Sequence, residues 1–238
     1  SINATACTAI TSATVKACTK YMFSYQSLTY TVGTVGASAT SYQWFVDDVA
    51  VSGANSKTFT LTNQPDGEHT VYCKVSNACG TVQSNTADIR VVYAQRGVLT
   101  PIEVNTVDEN DNPSGTLYFA HVNLGAENAT DPCNMFGDLY QWGRKADGHQ
   151  KRTSDRFQGP AQDSDLDSNG QILPSKTDFF GKFISYNTKA DWRNTTSYTL
   201  WGDGTSNINQ PKAVNDPCPP GWKIPSAAQW QSIYKGSG

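Results

Sequence analysis

Between Tyr21 and Val92, apolar and polar residues alternate in short runs broken by turn formers, the pattern of half-buried strands. Ser27-Leu-Thr-Tyr-Thr-Val-Gly33 keeps period two, and Ser41-Tyr-Gln-Trp-Phe-Val-Asp47 predicts the next strand, with Trp44 as its core residue. Asp47-Asp48 predicts a turn, Lys57-Thr-Phe-Thr-Leu-Thr62 another strand, and Gln64-Pro-Asp-Gly67 a second tight turn. His69-Thr-Val-Tyr-Cys-Lys-Val-Ser76 puts Val71, Cys73 and Val75 on one face. Asn77-Ala-Cys-Gly80 then turns the chain into a last strand ending in Ile89, Val91 and Val92. Residues 1–17, rich in Ala and Thr, read as a lead-in or first edge strand. Residues 1–92 are therefore expected to form a small antiparallel β-sandwich.

The pattern changes after Tyr93. Tyr93–Pro101 has the Gly and Pro of a linker, Asp108–Gly115 is a polar turn, and Leu117–Gly125 regains strand character. Beyond it, aromatics such as Tyr140, Trp142, Phe157, Phe183, Tyr186, Trp192, Trp201 and Trp222 are separated by long polar loops. Only Ser226–Lys235 reads as helix, with Ser226 as N-cap and Trp230, Ile233 and Tyr234 along one side. The fold class is mainly β, with a loop-rich α+β domain over residues 93–238.

Composition adds location. Charged residues are 16% of the chain, the formal charge is -3, and no apolar run approaches the roughly 20 residues that span a bilayer. Nucleic acid is not an expected partner. The densest basic spot, Arg144, Lys145, His149, Lys151 and Arg152, lacks interleaved stacking aromatics and reads as a solvated loop. Six cysteines with no metal-ligand spacing point to disulfides in an oxidising compartment. A chain opening at Ser1 without Met reads as processed or trimmed. The expected localisation is extracellular or cell-surface.

Residues 10–92, through Tyr42-Gln-Trp44 and Asp66-Gly-Glu-His-Thr-Val-Tyr-Cys-Lys-Val-Ser-Asn-Ala-Cys-Gly80, resemble the immunoglobulin-like/PKD-like modules repeated in large bacterial surface proteins. Tyr30, not Cys, stands about where the second strand would face Trp44, which speaks against an intersheet disulfide. Cys7, Cys18, Cys73 and Cys79 allow three pairings. The favoured one is Cys18–Cys79, since the first strand should start at the end of the sandwich that holds the 77–80 turn; Cys7–Cys73 follows.

Residues 98–238 resemble the Fibrobacter succinogenes major paralogous domain of Bacteroidetes-type surface proteins. The carriers are His121-Val-Asn-Leu-Gly-Ala126, Gly137-Asp-Leu-Tyr-Gln-Trp-Gly-Arg-Lys-Ala-Asp-Gly-His-Gln150 and Cys218-Pro-Pro-Gly-Trp-Lys-Ile-Pro-Ser-Ala-Ala-Gln-Trp230. That family in turn resembles a C-type-lectin-like fold. Family order and the two Asp-Pro-Cys triplets imply a Cys133–Cys218 bridge. The family runs on beyond the helix, so the sheet is expected to be completed by further chain or by another segment.

Asp163, Asp165, Asp167 and Asn169 are candidate calcium ligands, because Asp165 opens D-x-D-x-N-G-x-I, half of an EF-hand loop. Lys176 at the twelfth position and the intervening Pro174 break the second half, and a plain polar turn is the competing reading. Asp163 or Asp178 could complete a different site. His69, His121 and His149 fall in different segments, and no spacing supports nucleophilic catalysis. Sulfatase-activating enzymes share a lectin-like fold, but fold analogy does not transfer activity. Trp192 and Trp201, read as solvent-facing beside Asp191, Arg193, Asn194 and Asp203, are candidates for stacking on sugar rings. The expected function is a non-enzymatic adhesion or ligand-binding module with the sandwich as spacer. The expected partners are a glycan or protein ligand, or neighbouring domains and subunits of a surface assembly. The alternatives are a structural stalk segment, or a piece of a secreted polysaccharide-active enzyme whose catalytic part lies elsewhere.

Overall fold

The computed structural model describes residues 7–186, 191–202 and 209–234. The chain divides into two compact units, one of Ser1–Thr100 with Glu127–Phe136, the other of Pro101–Ala126 with Gly137–Gly238. The division differs from a single cut after Val92, since residues 127–136 return to the first unit.

In the first unit, β1 (Ser12–Lys16) pairs antiparallel with β3 (Ser27–Val35), which pairs with β6 (Thr58–Thr62). The second sheet runs β2 (Tyr21–Phe23), β9 (Ala87–Val92), β7 (Gly67–Asn77), β4 (Ser41–Val46) and β5 (Val49–Ala50), with β8 (Gly80–Gln83) also on β7. β2 lies parallel to β9. This order is that of an immunoglobulin-like sandwich. Period-two alternation sends Leu28, Tyr30 and Val32 inward from one sheet to meet Trp44, Val71, Cys73, Val75, Ile89 and Val91 from the other. The Trp44 indole is anchored by donating to the Ser56 carbonyl at 2.8 Å and stacks with Phe59 at 5.5 Å. Tyr30 takes the place beside Trp44, at 6.4 Å, and Cys73 stays a free buried thiol whose pKa burial pushes up to about 11.

Asp47 and Asp48 join β4 to β5 with φ of 49° and 65°, the left-handed pair that a two-residue hairpin turn requires. Asp47 also fixes β7: its carboxylate accepts the Thr70 N–H at 2.8 Å and meets His69 Nδ1 at 2.7 Å. His69 Nε2 points at the Pro65 carbonyl, 3.0 Å away. Two acceptors call for two donors, so the ring is held as imidazolium. The hydrogen bond to Asp47, outweighing burial, raises the His69 pKa above its ordinary 6.5. A histidine raised in this way contributes stability that is full below its ordinary pKa and is lost as pH rises through the folded value. Thermal unfolding from about pH 6 to 9 should therefore show the sandwich weakening with rising pH, and His69→Gln should flatten that slope. An equal slope in the variant would assign it to other groups.

Both disulfides differ from the expected pairings. Cys7 bonds Cys79 and Cys18 bonds Cys133, with Cα separations of 5.7 and 5.8 Å. Cys7 and Cys18 flank β1, so only one of them can sit at the 77–80 turn. Cys7 is the one there, next to the contact in which Asn77 Nδ2 donates to the Thr8 carbonyl at 2.9 Å. That rules out Cys18–Cys79 and Cys7–Cys73, because Cys73 points into the core. Cys133–Cys218 fails for another reason. Residues 127–136 are tied to the sandwich by Ser27 N donating to Thr130 O at 2.8 Å and Gln26 Nε2 to Ala129 O at 3.0 Å, which brings Cys133 to Cys18.

In the second unit, β10 (Pro101–Val107) and β11 (Pro113–Ala120) form a hairpin with a register shift at Thr106/Val107. β10 fills residues 102–107, which carry no expected element between the linker ending at Pro101 and the polar turn beginning at Asp108. The helix α1 (Ala227–Tyr234) packs on β10, and its Trp230 tilts against Phe119 at 5.3 Å. Ser226 caps it reciprocally with Gln229: Gln229 N donates to Ser226 Oγ and Ser226 N to Gln229 Oε1. β12 (Arg156–Gln158) and β13 (Phe183–Ser185) run parallel, over a small core of Ala161, Ile172, Ile184 and Trp192. Gly137 has φ +67°, and a Cβ there would lie 2.7 Å from both Asn123 Cβ and the Leu124 carbonyl. Gly137→Ala should cost about 1–3 kcal/mol of this unit's stability in chemical denaturation. Among the described residues, no helix is long and apolar enough to cross a membrane.

Candidate ligand-binding site

The segment Tyr140–Lys145 carries no regular secondary structure, yet two glutamine amides hold it. Gln141 mimics a strand against β13, donating from Nε2 to Ile184 O at 2.7 Å and accepting from Ile184 N at 2.8 Å. Gln171 does the same from the other side, donating to Gly143 O and accepting from Lys145 N, both at 2.7 Å. Gly143, with φ +79°, leaves room for the Leu200 side chain, which a Cβ would strike.

Below this loop lies a buried polar network. Arg144, 1% exposed, donates to Gln141 Oε1 at 2.8 Å and Lys182 O at 2.9 Å, pairs with Asp147, and places its guanidinium 5.2 Å from the Trp192 ring. His149 Nδ1 meets Asp147 Oδ1 at 2.6 Å, while its Nε2 accepts the Gln141 main-chain N–H at 3.1 Å. The sequence reading of this basic spot as a solvated loop is thus corrected for Arg144 and His149, which are core residues. Burial, ahead of its other interactions, lowers the His149 pKa and keeps the ring neutral. Burial alone would raise Asp147, but the His149 hydrogen bonds and the Arg144 charge hold it at about 2. The pair looks like the orienting half of a catalytic triad. Its outer nitrogen is already committed to a main-chain N–H, so the ring has no lone pair to offer as a base.

On the solvent side the same frame presents an aromatic cleft of about 540 Å³, lined by Trp142, Tyr186, Trp192 and Tyr198 with Ser185, Asp191 and Thr196 among its polar groups. Small-molecule sites usually span about 300–1,000 Å³. Trp142 is 45% exposed and Tyr198 73%. The Trp142 ring is nevertheless fixed: its indole N–H donates to Ser197 O at 3.2 Å and its edge meets Trp201 at 5.0 Å. Trp192 sits beneath it, 2% exposed, donating to the Trp142 carbonyl at 2.6 Å. Trp192 is therefore a floor residue and not the solvent-facing platform expected, because Arg144 and Arg193 close over its ring. Trp201 supports Trp142 from the side. Asp191 lines the cleft, whereas Asp203 lies outside the described residues. Trp142, Tyr186, Thr196 and Tyr198 were not singled out as site residues in the sequence; for Thr196 and Tyr198 the signal available was the mixture of hydroxyl and aromatic residues in Thr195–Leu200.

The candidate calcium ligands are engaged elsewhere. Asp165 pairs with Lys176 at 2.9 Å and accepts Gln162 N at 2.9 Å, and the Lys176 hydrogen bond leads the lowering of its pKa. Asp167 Oδ1 closes its own turn on Asn169 N and Gln171 N, and Asp163 accepts from Thr195 at 3.0 Å. The Asn169 carbonyl accepts from Asn215. Among the described residues, no three His, Cys, Asp or Glu side chains converge as a metal-holding group. As placed, these side chains do not present the cluster of inward-turned oxygens, about 6–8, that a calcium ion takes.

No protein-family model and no curated protein matches this sequence. Solved structures similar to part of it include Dscam1 isoform 4.44, N-terminal four Ig domains, at 18% identity and TM-score 0.30, covering 36% of this chain and 21% of that one. Murine CEACAM1b is 15% identical at TM-score 0.29, covering 35% and 45% of the two chains. The Clostridium thermocellum CbhA fibronectin(III)-like modules are 11% identical at TM-score 0.28, covering 37% and 48%. The alignments thus span less than half the length of those chains. The assignment of the first unit as an immunoglobulin-like β-sandwich rests on its own strand order and core.

Proposed function

We propose that this chain is a non-enzymatic recognition module working outside the cell, with the β-sandwich as spacer and the second unit as the ligand-binding part. The observation that carries this reading is an exposed tryptophan, Trp142, held rigid beside Tyr198 at the mouth of a cleft. Exposed large aromatics cost solvation unless something covers them, and a ring pinned in advance loses little entropy on binding. Two disulfides suit an oxidising compartment. The resemblance of residues 98–238 to the Fibrobacter major paralogous, lectin-like family belongs to the same reading, and its Tyr140–Lys145 motif is the segment that the two glutamines clamp. The partner is a glycan or a protein ligand.

Adhesion of beads carrying the intact chain to immobilised extracellular polysaccharides and proteins tests this reading, with Trp142→Ala and Tyr198→Ala as matched controls. Binding should be lost or sharply reduced in both variants; undiminished binding in both would move the site away from the cleft. The second reading, a structural segment of a larger assembly, draws on the hairpin: among the described strands, β10 and β11 pair only with each other. Open edges invite another strand. A monomer by light scattering across a wide concentration range would dismiss self-assembly through them.

A further inference from the structure

Resting on the cleft as a ligand site, we propose that its ligand is an uncharged saccharide, a pyranose ring lying against Trp142 and Tyr198 with hydroxyls bonded to Asp191 and Thr196. Sugar rings offer apolar C–H faces to aromatics and a rim of hydroxyls that both donate and accept, and the cleft has both halves of that chemistry. Asp191 is oriented by accepting the Arg193 N–H at 3.0 Å. It is also the single charged side chain among the described lining residues, so those residues offer an acidic sugar a carboxylate and no cation.

A proline-rich peptide is the other ligand that stacks on exposed aromatics. Such a peptide also presents carbonyls that need donors. The indole donors here are already spent, Trp142 Nε1 on Ser197 O and Trp192 Nε1 on Trp142 O. What remains at the surface is hydroxyl and carboxylate chemistry; the Asp191 carboxylate only accepts, which the hydroxyls of a polyol satisfy and the N–H-less prolines of such a peptide do not.

The test is an NMR titration of the intact chain labelled at its indole nitrogens, with the Trp142 signal assigned from Trp142→Phe. The probes are β-linked hexasaccharides of glucose, xylose, mannose and N-acetylglucosamine, a hexagalacturonate, and octaproline, each to about 5 mM, where millimolar affinity still registers. At least one uncharged saccharide should shift the Trp142 signal while the hexagalacturonate does not. Tyr198→Ala, at a position exposed enough to spare the fold, should weaken that binding about 3- to 10-fold. The proposal is overturned if no uncharged saccharide moves Trp142, or if Tyr198→Ala binds as well as the parent. A Trp142 shift with octaproline only would remove the saccharide and leave the cleft standing as a site; silence from every probe would remove both.

Discussion

Replacing Asp147 by alanine is expected to destabilise the second unit by about 3–5 kcal/mol, the usual cost of stranding one partner of a buried ion pair. Asp147 is 13% exposed at its side chain and Arg144 1%, and both the guanidinium and the His149 ring depend on that one carboxylate. Without it, Arg144 keeps its charge in a site that water does not reach, and His149 Nδ1–H loses its acceptor. Arg144→Met should cost less, because the Asp147 carboxylate it leaves is the more exposed of the two and keeps its His149 hydrogen bonds, and Arg144→Met with Asp147→Ala, which removes both charges, should be milder than Asp147→Ala by itself. Chemical denaturation followed by a probe confined to this unit, such as the Trp142 indole signal, measures all three. A loss under about 1 kcal/mol for Asp147→Ala would mean the network is not the buried frame described. The pH dependence has a definite sign. A carboxylate held at about 2, below its ordinary 3.8, contributes stability that is full above the ordinary value and is lost as pH falls toward the lower one. The parent should thus lose stability in acid between those two values more steeply than Asp147→Ala does.

The two halves of the chain differ in how far their sequence shows their structure, and the cause is physical. In the sandwich, the central strands bury alternate residues, so Leu28, Tyr30 and Val32 or Val71, Cys73 and Val75 mark the inner face, with Tyr72 the one buried residue of β7 that breaks the alternation. The second unit is held by side chains acting as backbone. Gln141 and Gln171 take the place of strand neighbours, and no periodicity announces a glutamine used that way. Composition misleads there as well: Arg144 and His149 are buried because Asp147 and Trp192 complete their bonding, although charged residues in a Gly-rich loop read as solvated. Which tryptophan is floor and which is platform depends on neighbours far along the chain, so Trp192, expected as a platform, is the floor, and Trp142, given no binding role from the sequence, is the exposed ring. The Asp-Pro-Cys repeats carried a local message instead of a pairing. Asp131 accepts Cys133 N at 2.8 Å and Asp216 accepts Cys218 N at 2.8 Å, so both triplets are the same side-chain-closed turn. Asp216 then spans its loop by accepting Ile224 N at 2.8 Å and pairing with Lys212 at 2.9 Å, a task with no need of a sulfur bridge.

That distinction leads to the second large effect, at Cys133. Cys18→Ser with Cys133→Ser is expected to destabilise the first unit by about 2–5 kcal/mol, whereas Cys218→Ser should change stability by less than about 1 kcal/mol. The Cys18–Cys133 bond closes a separation of 115 residues, for which the chain-entropy account gives about 4–5 kcal/mol, and the Cys7–Cys79 bond closes one of 72 within the same unit. The two loops overlap, so removing both should cost less than the sum. The Cys18–Cys133 bond also holds residues 127–136, whose other ties to the sandwich are a few hydrogen bonds and the packing of Cys133 on the core. In the double variant, amides of residues 127–136 should exchange with solvent faster than those of β3, while in Cys218→Ser they should not change. Peptide mapping without reductant should find Cys7 linked to Cys79 and Cys18 to Cys133. Cys73 and Cys218 should be alkylated slowly, because burial, aided at Cys218 by Asp216, pushes these thiols up to about 11 and about 12. A peptide joining Cys133 to Cys218 would contradict the tethering of residues 127–136 to the sandwich, and with it the return of that segment to the first unit.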